Sequence, residues 1–170
     1  MDTTDIVEVY KELGEKLSNI PGINWVDLWN NQVTNLDNEH PFPTPAIFLA
    51  FRANDGKDLS MKMQEVPLMV DVFLFYETFA DTYIGAFNQG DALQYLSLLK
   101  AINKELHAST GLHYSSMRRV GFSPVDTGDA GNLYSANYQC KFIDKSAVEE
   151  FETGNFSDVT ITPENGFMIP

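Results

Sequence analysis

The segment Glu65–Tyr76, EVPLMVDVFLFY, sets the tightest limit on what this chain can fold into. In an extended chain successive side chains point to opposite faces, so Leu68, Val70, Val72 and Leu74 share one side and Met69, Asp71, Phe73 and Phe75 the other. Both sides are largely apolar, which reads as a central strand covered on both faces. Pro67 sits near the start of the segment, where a missing N–H does least harm. The apolar run is far too short to cross a bilayer as a helix, and Pro67 and Asp71 interrupt it. The rest of the chain must therefore supply neighbours and cover.

Candidate neighbours are legible on either side. Pro45–Phe51 is continuously apolar and too short for a typical helix, so it reads as a second covered strand, followed by a hairpin-type turn at Asn54–Lys57. Asn24–Trp29 alternates loosely around two tryptophans and reads as a half-buried strand. Met117–Ser123 and Leu133–Ile143 read as two further strands joined by the turn-rich segment Pro124–Asn132. In the last strand Tyr134, Ala136, Tyr138, Cys140 and Phe142 alternate with Ser135, Asn137, Gln139 and Lys141, one face for a core and one for water.

Cover comes from two helical patterns. Ile6, Val9, Tyr10, Leu13 and Leu17 recur at three- and four-residue spacing, with Thr3 or Thr4 as cap and Pro21-Gly22 as stop. Asp91 can cap a second helix with the stripe Ala92, Tyr95, Leu96, Leu99, Ile102 and Leu106, leaving Lys100 and Lys104 to solvent; Gly111 closes it. The expectation is an α+β fold, a mainly antiparallel sheet packed against one long helix with an additional N-terminal helix, over residues 1–145. Leu96, Leu99, Ile102, Val70, Val72, Phe48 and Tyr138 are expected in its core. Residues 146–170 form an acidic C-terminal extension in which the run Asp158–Thr162 offers Val159 and Ile161 as alternating anchors. Asn30–Thr44 reads as an irregular loop, long for a compact domain and a candidate for contact with a partner.

Charge narrows the classes of partner. With 11 Lys and Arg against 24 Asp and Glu, the formal net charge is -13, which disfavours broad phosphate binding and anionic membranes. The start, MDTTDIVEVY, lacks the basic region and apolar run of a signal peptide, so use in the cytoplasm is expected. Cys140 is the single cysteine, which rules out an internal disulfide and fits a reducing compartment.

Residues capable of chemistry are scattered. His40, His107 and His113 sit in no HExxH-like spacing, and a structural or solvent role is the simpler reading. Cys140 has the form of a lone nucleophile, yet lies on the apolar face of its strand without a neighbouring base, which favours packing. Asp126, Asp129 and Asn132 offer oxygen ligands for Ca²⁺, but their spacing is not that of an EF-hand loop and a hairpin connection is favoured. No phosphate-cradling or serine-hydrolase motif occurs. No catalytic, cofactor-binding or metal-binding residue is assigned, and no enzymatic activity is expected. Arg118 and Arg119, the adjacent basic pair, are candidates for a salt bridge to an acidic neighbouring subunit or for a solvated sheet face.

The order of elements, with PAIFLAF leading to VPLMVDVFLFYE and then to DALQYLSLLKAINKELH, resembles the tail-terminator or tail-completion proteins of long-tailed bacteriophages over most of residues 5–143. The matching pieces are Pro45–Phe51, Val66–Glu77, Ala92–Leu106 and Tyr134–Phe142. The resemblance implies a virion protein, assembled in the host cytoplasm, that closes the tail tube as a ring, usually hexameric, and joins tail to head. Its implied partners are copies of itself, the tail tube protein and head-neck proteins, with DNA passing an acidic lumen without specific binding. On that reading Arg118, Arg119, Val159 and Ile161 are candidate subunit-interface residues. Two other readings stand beside it: a different neck adaptor or tube protein, and a small-molecule-binding domain or enzyme with Trp25, Trp29 and Tyr83 around Asp71 or Asp126.

Overall fold

A computed structural model describes residues 5–34, 42–78, 80–127 and 131–149. The central-strand segment does what its two apolar sides require. It forms β4 (Met63–Tyr76), paired antiparallel on one side with β2 (Ala46–Ala53) and on the other with β6 (Asn132–Asp144). β1 (Trp25–Leu28) extends the sheet beyond β2, and β5 (Arg118–Val125) extends it beyond β6, giving the order β1-β2-β4-β6-β5. A short β3 (Lys57–Ser60) pairs with the start of β4. The fold is α+β, but the sheet is mixed: β1 runs parallel to β2, while the other pairings are antiparallel.

That parallel pair accounts for the length of the segment between its strands, Asn30–Thr44, which the sequence marks as long for a compact domain. Antiparallel strands can be joined by a two-residue turn, whereas parallel neighbours need a crossover of a dozen or more residues. The chain between β1 and β2 is that crossover, and its two ends are pinned inside the molecule. Val33, in a 3-10 turn at Gln32–Thr34, is buried, and Phe42 packs edge-on against Phe48 and Phe75. The middle of the segment Asn30–Thr44 lies outside the described residues.

The first helix, α1 (Ile6–Ser18), buries Val9, Leu13 and Leu17 as its spacing requires. Its cap is Asp5 and not a threonine: the Asp5 carboxylate accepts from the amides of Val7 at 2.8 Å and Glu8 at 3.1 Å. The expected single long helix is in two pieces, α2 (Gln89–Ala92) and α3 (Gln94–Leu106), separated at Leu93. Asp91 lies inside α2 and is not its cap. Within α3 the row Tyr95, Leu98, Ile102 and Leu106 faces the sheet at three- and four-residue spacing, while Leu96, expected in the core, falls off that row and is 43% exposed. The helix ends at Leu106 with Ala108 in a left-handed conformation (φ 62°), and Gly111 has another task.

Both helices lie on one face of the sheet. Leu13, Leu17, Ile102 and Leu106 pack there against Ile47, Leu49, Val70, Val72 and Tyr138 in one continuous core. α1 is fastened to the segment after α3 through Glu12, whose carboxylate accepts from the amides of Leu112 and His113, both at 3.1 Å, and pairs with Lys16 at 3.3 Å. Gly111 permits this approach, since a Cβ there would collide with the Glu12 carboxylate and the Tyr114 ring.

The opposite face is divided. Towards the β1–β2 crossover, Trp29 stacks on Phe73 with ring centres 4.3 Å apart, and Val33, Phe48, Phe75 and Leu133 complete a smaller apolar cluster. Further along β4 the same face turns polar. Asp71, 7% exposed, pairs with Arg52 at 3.0 Å and accepts from Asn137 Nδ2 at 2.6 Å.

Candidate assembly surface

β5 is an outermost strand of the sheet, and it carries the adjacent Arg118 and Arg119. The two arginines fall opposite Gln139 and Tyr138 respectively, so they point to opposite faces of the sheet. Arg119 lies on the helix side, where its guanidinium sits 5.1 Å from the centre of the Phe122 ring and its backbone N–H donates to His107 Nδ1 at 3.1 Å. The strand is irregular as well as outermost: its register shifts between Arg119 and Gly121, and Pro124 removes one donor. Both features blunt an edge against open-ended strand addition.

Between α3 and β5 the surface forms a groove of about 320 Å³ lined by Leu96, Leu99, Lys100, Asn103, Arg119 and Phe122. Phe122 is 57% exposed, which makes the groove apolar in its middle with two cations on its walls. Neither Lys100 nor Arg119 takes part in an ion pair among the described residues, whereas Lys11, Lys16, Arg52, Lys62 and Lys141 each do. In a chain of net charge -13 this is a local reversal of sign.

A second surface was missed by the sequence reading. The loop from Ala80 to Asn88 exposes Tyr83, Ile84 and Phe87, the last two almost completely. Exposed as they are, these side chains sit on a well-braced backbone. Gln89 Nε2 donates to the carbonyls of Thr82 and Tyr83, Asn88 Oδ1 accepts from Asp81 N–H, and Ala86 N–H closes a turn onto Tyr83 O at 3.1 Å. Gly85 occupies the third position of that turn with φ 91°, the conformation a type II turn demands there. The available signal was three large apolar residues around one glycine, outside any strand or helix period.

The remaining candidates are dispersed. Val159 and Ile161 lie outside the described residues, as do His40 and Asp129. Cys140 is buried, and burial pushes its thiol up to about 11, so it is protonated at neutral pH. Tyr138 beside it is pushed up to about 12 by burial, which outweighs the opposing pull of Arg119. His107 accepts a backbone hydrogen bond, and His113 is held at its amide by Glu12. Among the described residues no group of three His, Cys, Asp or Glu is placed to hold a metal.

The pocket envisaged for a small molecule is not assembled by the described residues. Trp29 is stacked within the aromatic cluster, Tyr83 stands on the exposed loop, and the Asp71 carboxylate is already engaged by Arg52 and Asn137. Among the described residues no helix is long and apolar enough to cross a membrane. The sequence matches no known protein family, and no curated protein matches it.

Proposed function

We propose that this chain is a structural subunit of a bacteriophage tail, a tail-terminator or tail-completion protein that closes the tail tube as a ring and joins tail to head. The observation that supports it best is the braced loop Ala80–Asn88, which holds Tyr83, Ile84 and Phe87 out into solvent. Large apolar side chains displayed on an ordered backbone mark a surface made to be covered by protein. The element order described above supplies the resemblance, and a ring subunit needs contact surfaces and no catalytic group. The acidic balance of the chain suits a lumen that DNA traverses without adhering. The C-terminal extension, with Val159 and Ile161, and the arginine pair on β5 are proposed to contribute to contacts in the virion.

The test is the mass of the purified chain over a range of protein and salt concentrations, followed by electron microscopy of any oligomer, alone and with isolated tail tubes. A closed ring that caps the tubes supports the reading. Failure to cap tubes under conditions where the chain is folded removes it.

A further inference from the structure

The exposed loop and the α3–β5 groove are complementary in polarity and charge, and they belong to the same chain. The loop is convex and apolar at its tip. Between residues 77 and 91 it is flanked by Glu77, Asp81 and Asp91, with no Lys or Arg among them. The groove is concave and apolar in its middle, and Lys100 and Arg119 stand on it without an ion-pair partner among the described residues. Because Ile84 and Phe87 are almost fully exposed, they fill no site among the described residues of their own subunit.

We infer that the Tyr83–Phe87 tip of one copy docks into the α3–β5 groove of a second copy, with the acidic flank of the tip facing Lys100 and Arg119. Donor and acceptor are different surfaces, which allows each subunit to use its tip on one neighbour and its groove on another. Contacts of this heterologous kind build a ring when the rotation between neighbours closes. The irregular β5 edge fits the same picture, since side chains in the groove and not added main-chain hydrogen bonds make the contact. This inference deepens the ring reading and rests on it for closure only.

Cysteine cross-linking of the full chain tests it. In a Cys140→Ala background, Phe87→Cys and Phe122→Cys are made singly and together; both positions are exposed, so the fold is not at issue. With a short bismaleimide, the double variant should give a ladder of multimers. An equimolar mixture of the two single variants should stop at dimers, and either single variant alone should remain monomeric. In parallel, Phe87→Asp should weaken self-association at least tenfold. The inference is overturned if the mixture yields no dimer at any concentration or salt, or if the single variants cross-link equally well. Assembly by mass without these cross-links leaves the ring reading standing and moves its interface elsewhere. Cross-linked species that are open chains under the microscope leave the contact standing and remove the ring, whereas two-fold pairs overturn the inference that tip and groove serve different neighbours.

Discussion

The two faces of the central sheet were built under different demands. On the helix-covered face every β4 position from Val66 to Leu74 that points inwards is buried against aliphatic side chains of α1 and α3. On the other face the same strand passes from Phe75 and Phe73 in an aromatic cluster to Asp71 in a polar network, and then to Met69 near the surface. The first face is continuous because two whole helices cover it. Among the described residues the second is covered only where the β1–β2 crossover and its aromatic side chains reach, so its character changes within a few residues. The lesson is that apolar residues on both sides of a strand show that both sides are covered somewhere, not that they are covered alike.

Adjacent truncations on β4 give the sharpest test of that difference. Leu68→Ala, on the helix side, should cost about 3 kcal/mol, as large-to-small changes at closed core sites do. Met69→Ala, its neighbour on the other face, should cost less than about 1 kcal/mol. Urea midpoints of the two variants decide it, and similar losses would mean that the second face is covered as fully as the first.

The fastening of α1 comes next in size. Gly111→Ala should destabilise by about 2 kcal/mol, because a Cβ displaces the Glu12 carboxylate from the two amides it accepts. The loss should appear in thermal unfolding. An unchanged midpoint would show that the segment after α3 accommodates the methyl group without releasing Glu12.

The same carboxylate gives the helix-covered side a pH dependence. Burial alone would raise the pKa of Glu12, but the amides of His113 and Leu112 together with Lys16 favour its charged form more and hold it below the ordinary glutamate range. Its contribution is therefore complete above the unfolded value and is lost as pH falls through the depressed folded one. Glu12→Gln should lower stability at neutral pH and flatten the acid limb of a urea-midpoint profile. An acid limb of unchanged slope would assign the pH dependence to other carboxylates.

The smallest effect is expected in the polar half of the opposite face. Arg52→Ala leaves the Asp71 carboxylate, itself barely exposed, with Asn137 and without its cation. The loss should be slight, since Arg52 is largely in solvent, and Asp71→Asn in the same background should recover it. A double variant no more stable than Arg52→Ala would show that the ion pair does nothing for that face.

Much of the scaffold was legible in the residues. The alternation in Glu65–Tyr76 placed β4 at the centre, and that in Leu133–Ile143 gave the inward row Tyr134 to Phe142 its correct face. The stripe Val9, Leu13 and Leu17 gave α1. Where the reading slipped, a contact distant in sequence had the final say. Lys57–Ser60 has no apolar period and is a strand only because β4 lies beside it. Leu98 is buried and Leu96 is not because the row Tyr95, Leu98, Ile102 and Leu106 is the one turned to the sheet. Of the candidate surface, Arg118 and Arg119 were visible as a pair, but the groove that Arg119 alone of them lines needs α3 and β5 side by side, and the apolar loop has no period to read.

The sequence by itself determined which segments alternate and which faces are apolar, because side-chain direction follows from backbone geometry over a few residues. It therefore determined the covered central strand, the amphipathic N-terminal helix and the acidic balance of the chain. Only the tertiary structure decided that β1 joins the sheet parallel to β2, and hence that the long segment between them is a crossover. It likewise decided that Gly111 makes room for Glu12, and that Lys100 and Arg119 meet across one groove. The physical reason is the same in each case: pairing, close approach and shared charge depend on distances between segments far apart in the chain, and a one-dimensional pattern carries directions but not those distances.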